Sequence, residues 1–315
     1  MKDIDKKEQR IRIILNPAAA KGKAARLKGT IDRYLKQHGI IAEYIETQEE
    51  WHAAKLAKQA AEEGVDIIVA AGGDGTCNEV ANGIMAADLP VDKRPKLAIF
   101  PIGRGNDFAY VCEIPKRVEA FCNLIIQGRS RNIDVGKVSG GLYPEGRYFL
   151  NGVGVGFEPM VTMKASEYKR ISGIPSYIVA LLSIIAHYPA AVPTRLEIDD
   201  EVHEISTQQI SVCNGRRMGG AFLMGPDAIP YDGFLDYLFI DRPLSVGMIL
   251  RLVMRFLKGS QKSHPYVQSG LAETLEISSA SEDLVCHADG ETISKGCDSL
   301  TIEIESSAIE LICTI

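Results

Sequence analysis

Five consecutive residues, Gly72-Gly73-Asp74-Gly75-Thr76, have the composition of a phosphate-binding turn. An apolar, β-branched run at residues 66–71 precedes them, and a segment of helical character follows through Met85. Glycines without a Cβ let the backbone approach a phosphate, and a helix N-terminus presents unpaired N–H groups and partial positive charge. The pattern predicts a strand, a glycine turn and a helix that bind a polyphosphate. The alternative is a tight turn that needs glycine only for its backbone angles.

Polar side chains in and after this turn extend the candidate site. Asp74 is an anion beside the expected anion, so it would act through Mg²⁺ or water. Thr76 either caps the helix or donates to a phosphate. Asn78 and Glu79 open an otherwise apolar helix, which is typical of the floor of a site.

A second glycine turn, Gly103-Arg104-Gly105-Asn106-Asp107, follows the apolar strand predicted at 97–101. Strands that alternate with helices imply a mostly parallel sheet, which places the loops after the strands on one side. We therefore expect the two glycine turns to meet. A second turn capped by an Asn or Asp side chain is the alternative.

The spacing of strands and helices predicts two domains. Alternating strands and helices, starting with Ile11–Leu15 and the loop from Asn16 to Lys23, predict an α/β domain over residues 1–137. Strands without intervening helices predict an antiparallel β-sandwich over 138–304. We allow the C-terminal tail, about residues 305–315, to return to the first domain. The predicted strands of the second domain are 148–157, 194–198, 208–213, 233–240, 274–278, 284–288 and 300–304.

Four further carboxylates stand at strand ends or in Asp-Gly turns: Asp134, Asp232, Asp289 and Glu291. From the residues alone, Asp134 is an ordinary strand-end aspartate. Asp232-Gly233 and Asp289-Gly290 are equally ordinary hairpin turns.

The segment Asn151-Gly152-Val153-Gly154-Val155-Gly156-Phe157 is rich in glycine but differs from a dinucleotide-binding fingerprint. Its glycine spacing is wrong, and we expect no helix directly after it.

Two segments raise the question of membrane contact. The apolar stretch 174–192 is interrupted by polar residues and prolines and falls short of the ~20 residues of a span, so it predicts a buried or interfacial helix.

The helix predicted at 245–258 separates apolar from basic residues. It either contacts an anionic bilayer or packs on the sandwich with a solvated basic side. Its apolar residues are Leu250, Val253, Met254 and Leu257, and its basic ones Arg251, Arg255 and Lys258.

Composition excludes several classes of protein. A chain of 315 residues with 46% hydrophobic and 24% charged residues fits a globular protein of two domains, and a net charge of −6 argues against a general nucleic-acid binder. Seven cysteines without a C-x-x-C pair indicate neither a disulfide framework nor a zinc site. Residues 1–10 lack an apolar signal-peptide core, so we expect a cytoplasmic protein.

The continuation Asn78-Glu79-Val80 with Asn82-Gly83, and the second turn followed by Phe108-Ala109, resemble the bacterial diacylglycerol kinase-like lipid kinases. This family includes the sphingosine and ceramide kinases. The resemblance covers almost the whole chain. It implies an N-terminal Rossmann-like domain of the NAD kinase and phosphofructokinase type, followed by an antiparallel β-sandwich that receives the lipid.

The resemblance also implies roles for individual residues. Asp289 takes the family's position of catalytic base with Glu291 in support, and Asp74, Asp107 and Asp134 belong to a Mg²⁺–water network. Asp232 takes the position of a ligand to a structural Mg²⁺. The residues expected to bind ATP are Asn16, Lys21, Gly72, Gly73, Asp74, Gly75, Thr76, Glu79, Gly103, Arg104 and Asn106.

Three residues depart from the family pattern. Ala20 stands at a glycine position, Arg104 replaces a threonine, and Tyr110 stands where arginine is common. We expect Arg104 to supply the phosphate-directed charge that relatives place at the position of Tyr110.

The resemblance implies transfer of the γ-phosphate of MgATP to a lipid hydroxyl, with diacylglycerol giving phosphatidic acid as our first choice. The lipid would be met by peripheral contact at the inner membrane face, without nucleic acid. The alternatives are an NAD kinase-like phosphotransferase acting on a soluble substrate and a nonenzymatic lipid- or nucleotide-binding regulator. The lipid acceptor and the oligomeric state, a homodimer included, stay open.

Overall fold

The chain folds into two compact units in a computed structural model that describes residues 9–168, 174–185, 191–281 and 283–314. One unit comprises the residues up to Ile133 together with those from Ala308 onward, and the other comprises Asp134–Ser307. The boundary predicted at residue 137 lies close to this division. Two ranges outside the described part bear on the sequence predictions: residues 1–8 belong to the segment without a signal-peptide core, and residues 186–190 belong to the predicted apolar helix.

The first unit alternates strands and helices, as predicted. Its elements are β1 Ile11–Leu15, α1 Ala19–Gln37, β2 Ala42–Glu46, α2 His52–Glu62, β3 Ile67–Gly72, α3 Asp74–Met85, β4 Lys96–Pro101, α4 Asp107–Val111 and α5 Val118–Gln127. A kink with left-handed backbone angles at Ala20, Lys21 and Gly22 interrupts the start of α1.

The strands of the first unit form a parallel sheet in the order β2-β1-β3-β4. Leu311, near the C-terminus, pairs in parallel with Leu97 of β4, so the tail returns to this sheet. All six residues of β3 are buried, which is characteristic of a parallel strand covered on both faces. Because the strands are parallel, the ends of β3 and β4 lie side by side, with Gly72 paired to Pro101.

The second unit is built mainly from strands, of which the first begins, and the last ends, among residues of the first unit. Its elements are β5 Ser130–Gly140, β6 Tyr143–Phe149, β7 Gly152–Gly156, α6 Phe157–Ser166, α7 Ile174–Ile185, β8 Val192–Ile198, β9 Glu201–Thr207, β10 Gln209–Cys213, β11 Leu235–Ile240, α8 Val246–Lys258, β12 Val267–Ala272, β13 Thr274–Ser278, β14 Val285–Ala288, β15 Glu291–Lys295 and β16 Ser299–Ile312.

These strands form two sheets, and the predicted antiparallel sandwich is confirmed. One sheet has the order β12-β11-β10-β7-β14-β15, and the other contains β16-β13-β8-β9, with β5 joined to β16 and β6. Alternate side chains of both sheets share one apolar core, in which Val153 and Val212 of the first sheet cluster with Leu275 and Ile302 of the second. Burial of this shared core holds the two sheets face to face.

Three sequence predictions in this unit are wrong in detail. A helix, α6, begins at Phe157 directly after β7, whereas we expected none there. The strand predicted at 148–157 is two strands broken at Leu150–Asn151, because the chain turns there to meet Asp289. The last strand runs to Ile312 rather than 304.

Helix α8 packs on the outer face of the six-stranded sheet. Its buried residues are Ile249, Leu252 and Phe256, which join a cluster with Leu238 and Ile240 of β11. The residues predicted as its apolar face are instead more exposed, with Leu250 43% and Met254 53% exposed. Among the described residues, no helix has both the length and the hydropathy of a membrane span.

Gly83 gives the first testable prediction, because its lack of a side chain lets α3 approach α2. A Cβ at this position would collide with the carbonyl oxygen of Ala54 and would lie 2.7 Å from the Cβ of Ala57. Gly83→Ala should therefore reduce the free energy of unfolding by about 1–3 kcal/mol, the range for overpacking. Urea denaturation measures the change.

Gly29→Ala is the matched control, since a Cβ added to this exposed glycine of helix α1 would have no neighbour within 4 Å. The higher helix propensity of alanine should leave stability unchanged or raise it by up to ~1 kcal/mol. Equal effects of the two substitutions would contradict the close packing assigned to Gly83.

Candidate active site

The first glycine turn joins β3 to α3, with Gly73 as the N-cap of the helix. Gly72 is required for space, because a Cβ there would collide with the side chain of Thr76. Thr76 lies inside the first turn of α3, and its hydroxyl oxygen accepts a hydrogen bond from the Asn16 side chain at 3.2 Å. The structure therefore brings Asn16 to the turn, beside the exposed N-terminus of a helix.

Asp74 joins the two glycine turns. Its carboxylate accepts the backbone amides of Asn106 and Asp107, at 2.6 and 2.5 Å. Asn106 has left-handed backbone angles, and its side chain exchanges two hydrogen bonds with the backbone of Gly103. A Cβ on Gly103 would lie 2.5 Å from the Cα of Gly73. The predicted meeting of the turns is confirmed.

The other residues of the first unit that we expect to bind ATP differ in their contacts and exposure. Glu79 accepts the amide of Ala53 in the first turn of α2, at 3.0 Å, so it satisfies one of that helix's unpaired donors. Lys21 and Arg104 are exposed, as is Tyr110. The ATP-binding roles of Lys21, Arg104 and Glu79 stay predictions.

Asp134 is almost fully buried in the second unit, and its carboxylate accepts backbone amides from two other segments. One carboxylate oxygen accepts the amide of Ser307 at 2.7 Å, and the other accepts that of Gly233 at 2.8 Å. Asp134 therefore ties the Asp232-Gly233 turn to β16. Its membership of a Mg²⁺–water network with Asp74 and Asp107 stays a prediction.

Asp289 occupies the first position of a two-residue hairpin turn between β14 and β15. Asp289 and Gly290 both have positive φ angles, 49° and 87°, as such a turn requires. The hairpin prediction is therefore correct for the backbone. Glu291, the first residue of β15, is half-buried.

The side chain of Asp289 does more than close the hairpin. One carboxylate oxygen accepts the amides of Asn151 and Gly152, at 2.9 and 3.1 Å, and the other accepts that of Leu150 at 2.8 Å. Three charge-assisted hydrogen bonds orient the carboxylate firmly at the entry to β7.

A contact between a buried histidine and a partly buried carboxylate beside this turn was not predicted. His287, 2% exposed, contacts the carboxylate of Glu158 through Nε2. Burial opposes charge on the ring, but the carboxylates of Glu158, Asp289 and Glu291 prevail and raise the pKa of His287. The only signal in the sequence was a histidine two residues before Asp-Gly, since Glu158 is distant in the chain.

Glu158 also lines an apolar cavity of about 360 Å³. Helices α6, α7 and α8 and the outer face of the six-stranded sheet form its walls. Apart from Glu158, Thr162, Gln208 and Gln209, the lining side chains are apolar, among them Leu181, Leu252 and Val253. Cavities of this size and character bind apolar molecules with a few oriented polar groups.

Comparison with known proteins places this geometry in a family. Residues 10–138 match the family model of the diacylglycerol kinase catalytic domain, and residues 151–313 match that of the YegS C-terminal NAD kinase beta sandwich-like domain. The chain belongs to the diacylglycerol kinase family. A kinase function follows at the level of the family, and the recognition made from the sequence motifs is confirmed.

Named relatives span nearly the whole chain. A diacylglycerol kinase of Staphylococcus saprophyticus is 30% identical over 286 residues, covering 90% of this chain and 89% of the relative. One of Staphylococcus aureus is 32% identical over 286 residues, covering 90% and 86%.

Solved structures agree with the fold. A diacylglycerol kinase from Bacillus anthracis has a TM-score of 0.72 at 22% identity, covering 98% of each chain. A yeast NADH kinase has a TM-score of 0.58 at 10% identity, covering 98% of this chain and 85% of its own. The predicted resemblance to the NAD kinase fold is thereby confirmed.

Asp232 is the candidate ligand for Mg²⁺ in this family member. It is exposed, and Oδ1 accepts the amide of Phe234 at 3.1 Å. Among the described residues, no group of three or more His, Cys, Asp or Glu side chains could hold a metal ion. Mg²⁺ often binds through a single carboxylate and retains several waters, so the residues fit a largely hydrated ion.

Asp232→Ala tests this assignment. A Mg²⁺ ion that binds only the folded state adds stability by mass action. Added Mg²⁺ should therefore raise the Tm of the parent, measured without nucleotide, and should leave the Tm of Asp232→Ala unchanged. Asp200→Ala, which removes an exposed carboxylate from another turn of the same unit, should respond like the parent. If all three proteins respond alike, Asp232 is only a turn residue.

Proposed function

We propose that this protein is an ATP-dependent lipid kinase that transfers the γ-phosphate of MgATP to the hydroxyl of diacylglycerol, giving phosphatidic acid. The observation that carries this choice is the apolar cavity of the second unit. Its volume is about 360 Å³ and it borders Glu158, whose carboxylate contacts His287 of β14, two residues before Asp289. A soluble, polar acceptor would gain little from such walls, whereas an acyl chain buries its methylene groups there.

The first unit would hold ATP. The amides of the first glycine turn and the N-terminus of α3 are suited to bind the phosphates. Asn16 is held beside this turn by its hydrogen bond to Thr76. Arg104 is exposed in the second turn, and a guanidinium can donate two parallel hydrogen bonds to phosphate oxygens. Mg²⁺ bound with ATP would neutralise phosphate charge near Asp74 and Asp107.

Asp289 would act on the acceptor hydroxyl. A carboxylate is too weak a base to ionise an alcohol in the ground state, so its contribution is to orient the hydroxyl and accept its proton late in the transfer. Three backbone amides fix the carboxylate for this task. Glu291, the first residue after the turn, would be a supporting carboxylate. Most of the rate would come from placement and charge neutralisation.

Exposed apolar residues near the cavity support peripheral contact with a membrane. Ile178 and Leu182 of α7 are 51% and 59% exposed, and Leu250 and Met254 project from α8. The exposed Arg251 and Lys258 share α8 with them. Apolar side chains flanked by cations suit the surface of an anionic bilayer, from which the lipid would enter the cavity.

Asp289→Asn tests the role of the catalytic base. The amide keeps the shape of the side chain but cannot take the proton, so kcat should fall by roughly 10²–10⁴-fold. The Michaelis constant for ATP should change little.

Asp199→Asn is its matched control. Asp199 has the same φ angle of 49° in another hairpin, and its carboxylate accepts the amides of Glu273 and Thr274. It should retain parental kcat. Near-parental turnover of Asp289→Asn, or an equal loss in both variants, would contradict the assignment.

Val253→Trp tests the cavity. Val253 lines it, so the larger side chain should occupy space that the acyl chain needs. We expect kcat/KM for diacylglycerol to fall about tenfold or more, equivalent to a binding loss of ~1.4 kcal/mol. The Michaelis constant for ATP should stay unchanged.

Val246→Trp places the same side chain on the same helix at an exposed position outside the cavity lining, and should behave like the parent. Unchanged lipid kinetics in Val253→Trp would remove the cavity from the proposal and favour a soluble acceptor.

A further inference from the structure

The buried pair of His287 and Glu158 touches both the turn of Asp289 and the apolar cavity. His287 contacts Glu158 through Nε2, and its other ring nitrogen, Nδ1, accepts the backbone amide of Gly290 at 3.2 Å. Glu158 in turn accepts the hydroxyl of Thr162 at 2.9 Å and lines the cavity. The contacts run without a break from the cavity wall to the turn.

These contacts determine the tautomer of His287. A ring nitrogen can accept the Gly290 amide only if it carries no proton, so the proton of the neutral ring lies on Nε2 and is donated to Glu158. A second proton, on Nδ1, would set two N–H groups against each other and break the contact with Gly290.

Gly154 supplies an independent observation that the fold makes room for the pair. It is paired with His287 across β7 and β14. A Cβ at this position would collide with the carboxylate of Glu158 and lie 3.1 Å from His287 Nε2. Gly154, in the middle of the Gly152–Gly156 strand, is therefore the residue that admits the pair.

We propose that His287 is a positioning residue that fixes the Asp289-Gly290 turn, and that Glu158, in the wall of the apolar cavity, holds His287 in the tautomer that this requires. The inference rests on the proposed function, because its effect is exerted through Asp289. The three amides at the entry to β7 donate to the carboxylate of Asp289. The ring of His287 accepts the amide of Gly290, the second residue of the turn. The turn is thus held on both sides of its tip.

The pair also gives the reaction a pH dependence of known sign. The charged groups that face His287 are Glu158 on α6 and Asp289 and Glu291 at the turn, and they raise its pKa. As the pH falls through this raised pKa, Nδ1 takes up a proton, Gly290 loses its acceptor and the turn is held only by the carboxylate of Asp289. Activity should therefore decline on the acid side and recover as the pH rises.

Two substitutions of His287 separate its two contacts. His287→Gln places an amide near the position of Nε2, where it can still donate to Glu158 but cannot accept from Gly290. We expect kcat for diacylglycerol to fall roughly 10- to 100-fold, as for a small misplacement of a reacting group, with the Michaelis constant for ATP within about twofold of the parent. His287→Asn places an oxygen near Nδ1, keeps an acceptor for Gly290 and should retain most of kcat.

The pH profile separates positioning from a general loss of stability. Both variants lack the titrating ring, so the acid decline assigned to His287 should vanish in His287→Asn. Glu158→Gln keeps an acceptor for Nε2 but removes a negative charge, so the decline should move to lower pH. Ser279→Ala is the control: Ser279 is also buried and its oxygen also accepts a backbone amide, that of Ser281, in another turn. It should keep the parental profile.

Histidine-selective ¹⁵N NMR gives a readout that does not depend on activity. The signal absent from His287→Asn belongs to His287, and at pH 8 it should show Nδ1 unprotonated and Nε2 protonated. A protonated Nδ1, parental kcat in His287→Gln, or equal losses and a parental acid decline in both variants would overturn the inference. If the parent phosphorylates no lipid but the NMR signal is as expected, the proposed function fails and the positioning contact stands.

Discussion

Aspartate carboxylates that accept backbone amides from distant segments hold the functional turns of this protein together. Asp74 accepts two amides from the second glycine turn. Asp134 accepts one from the Asp232-Gly233 turn and one from β16, and Asp289 accepts three at the entry to β7. Charge-assisted bonds of this kind are stronger than neutral ones, and leaving such amides unpaired would be costly. Each aspartate therefore joins two chain segments within its own unit.

Glycines make these connections possible by leaving space beside the carboxylates. Gly73 and Gly103 approach so closely that a Cβ on either would crowd the other turn. Gly105 lies beside Asp74 and Asp107, and Gly154 lies beside Glu158 and His287. The glycine-rich motifs thus admit the acidic side chains that fix the turns, in addition to the phosphate binding that we propose for the first turn.

The sequence predicted those parts of the molecule that depend on local patterns. The meeting of the two glycine turns followed from strand order, because parallel strands that each end in a turn bring those turns to one edge. The helix that begins at Phe157 was missed because the sequence offers no helix-start signal there, and Gly156 was interpreted as part of a strand. In the structure Gly156 has a φ of 95° and ends that strand. The sequence left two alternatives open for α8 because both of its sides carry apolar residues, and only packing against β11 decides which side is buried.

The parts of the site that could not be predicted depend on residues far apart in sequence. Glu158 and His287 are separated by 129 positions, and no spacing rule connects them. The cavity is formed by three helices and a sheet face whose apolar residues resemble any core. The role of Asp134 as an anchor for the Asp232-Gly233 turn could not be predicted, because Gly233 and Ser307, whose amides it accepts, lie 99 and 173 positions away in the sequence.

Identification of the phosphorylated product tests the central claim most directly. The purified protein would be incubated with γ-³²P-labelled ATP, Mg²⁺, vesicles of anionic phospholipid containing diacylglycerol, and NAD in the same tube, and the labelled products separated and identified by mass spectrometry. The account predicts that the label appears in phosphatidic acid and that Asp289→Asn abolishes most of it. Label in a soluble nucleotide with none in lipid, or no transfer at all, would contradict it.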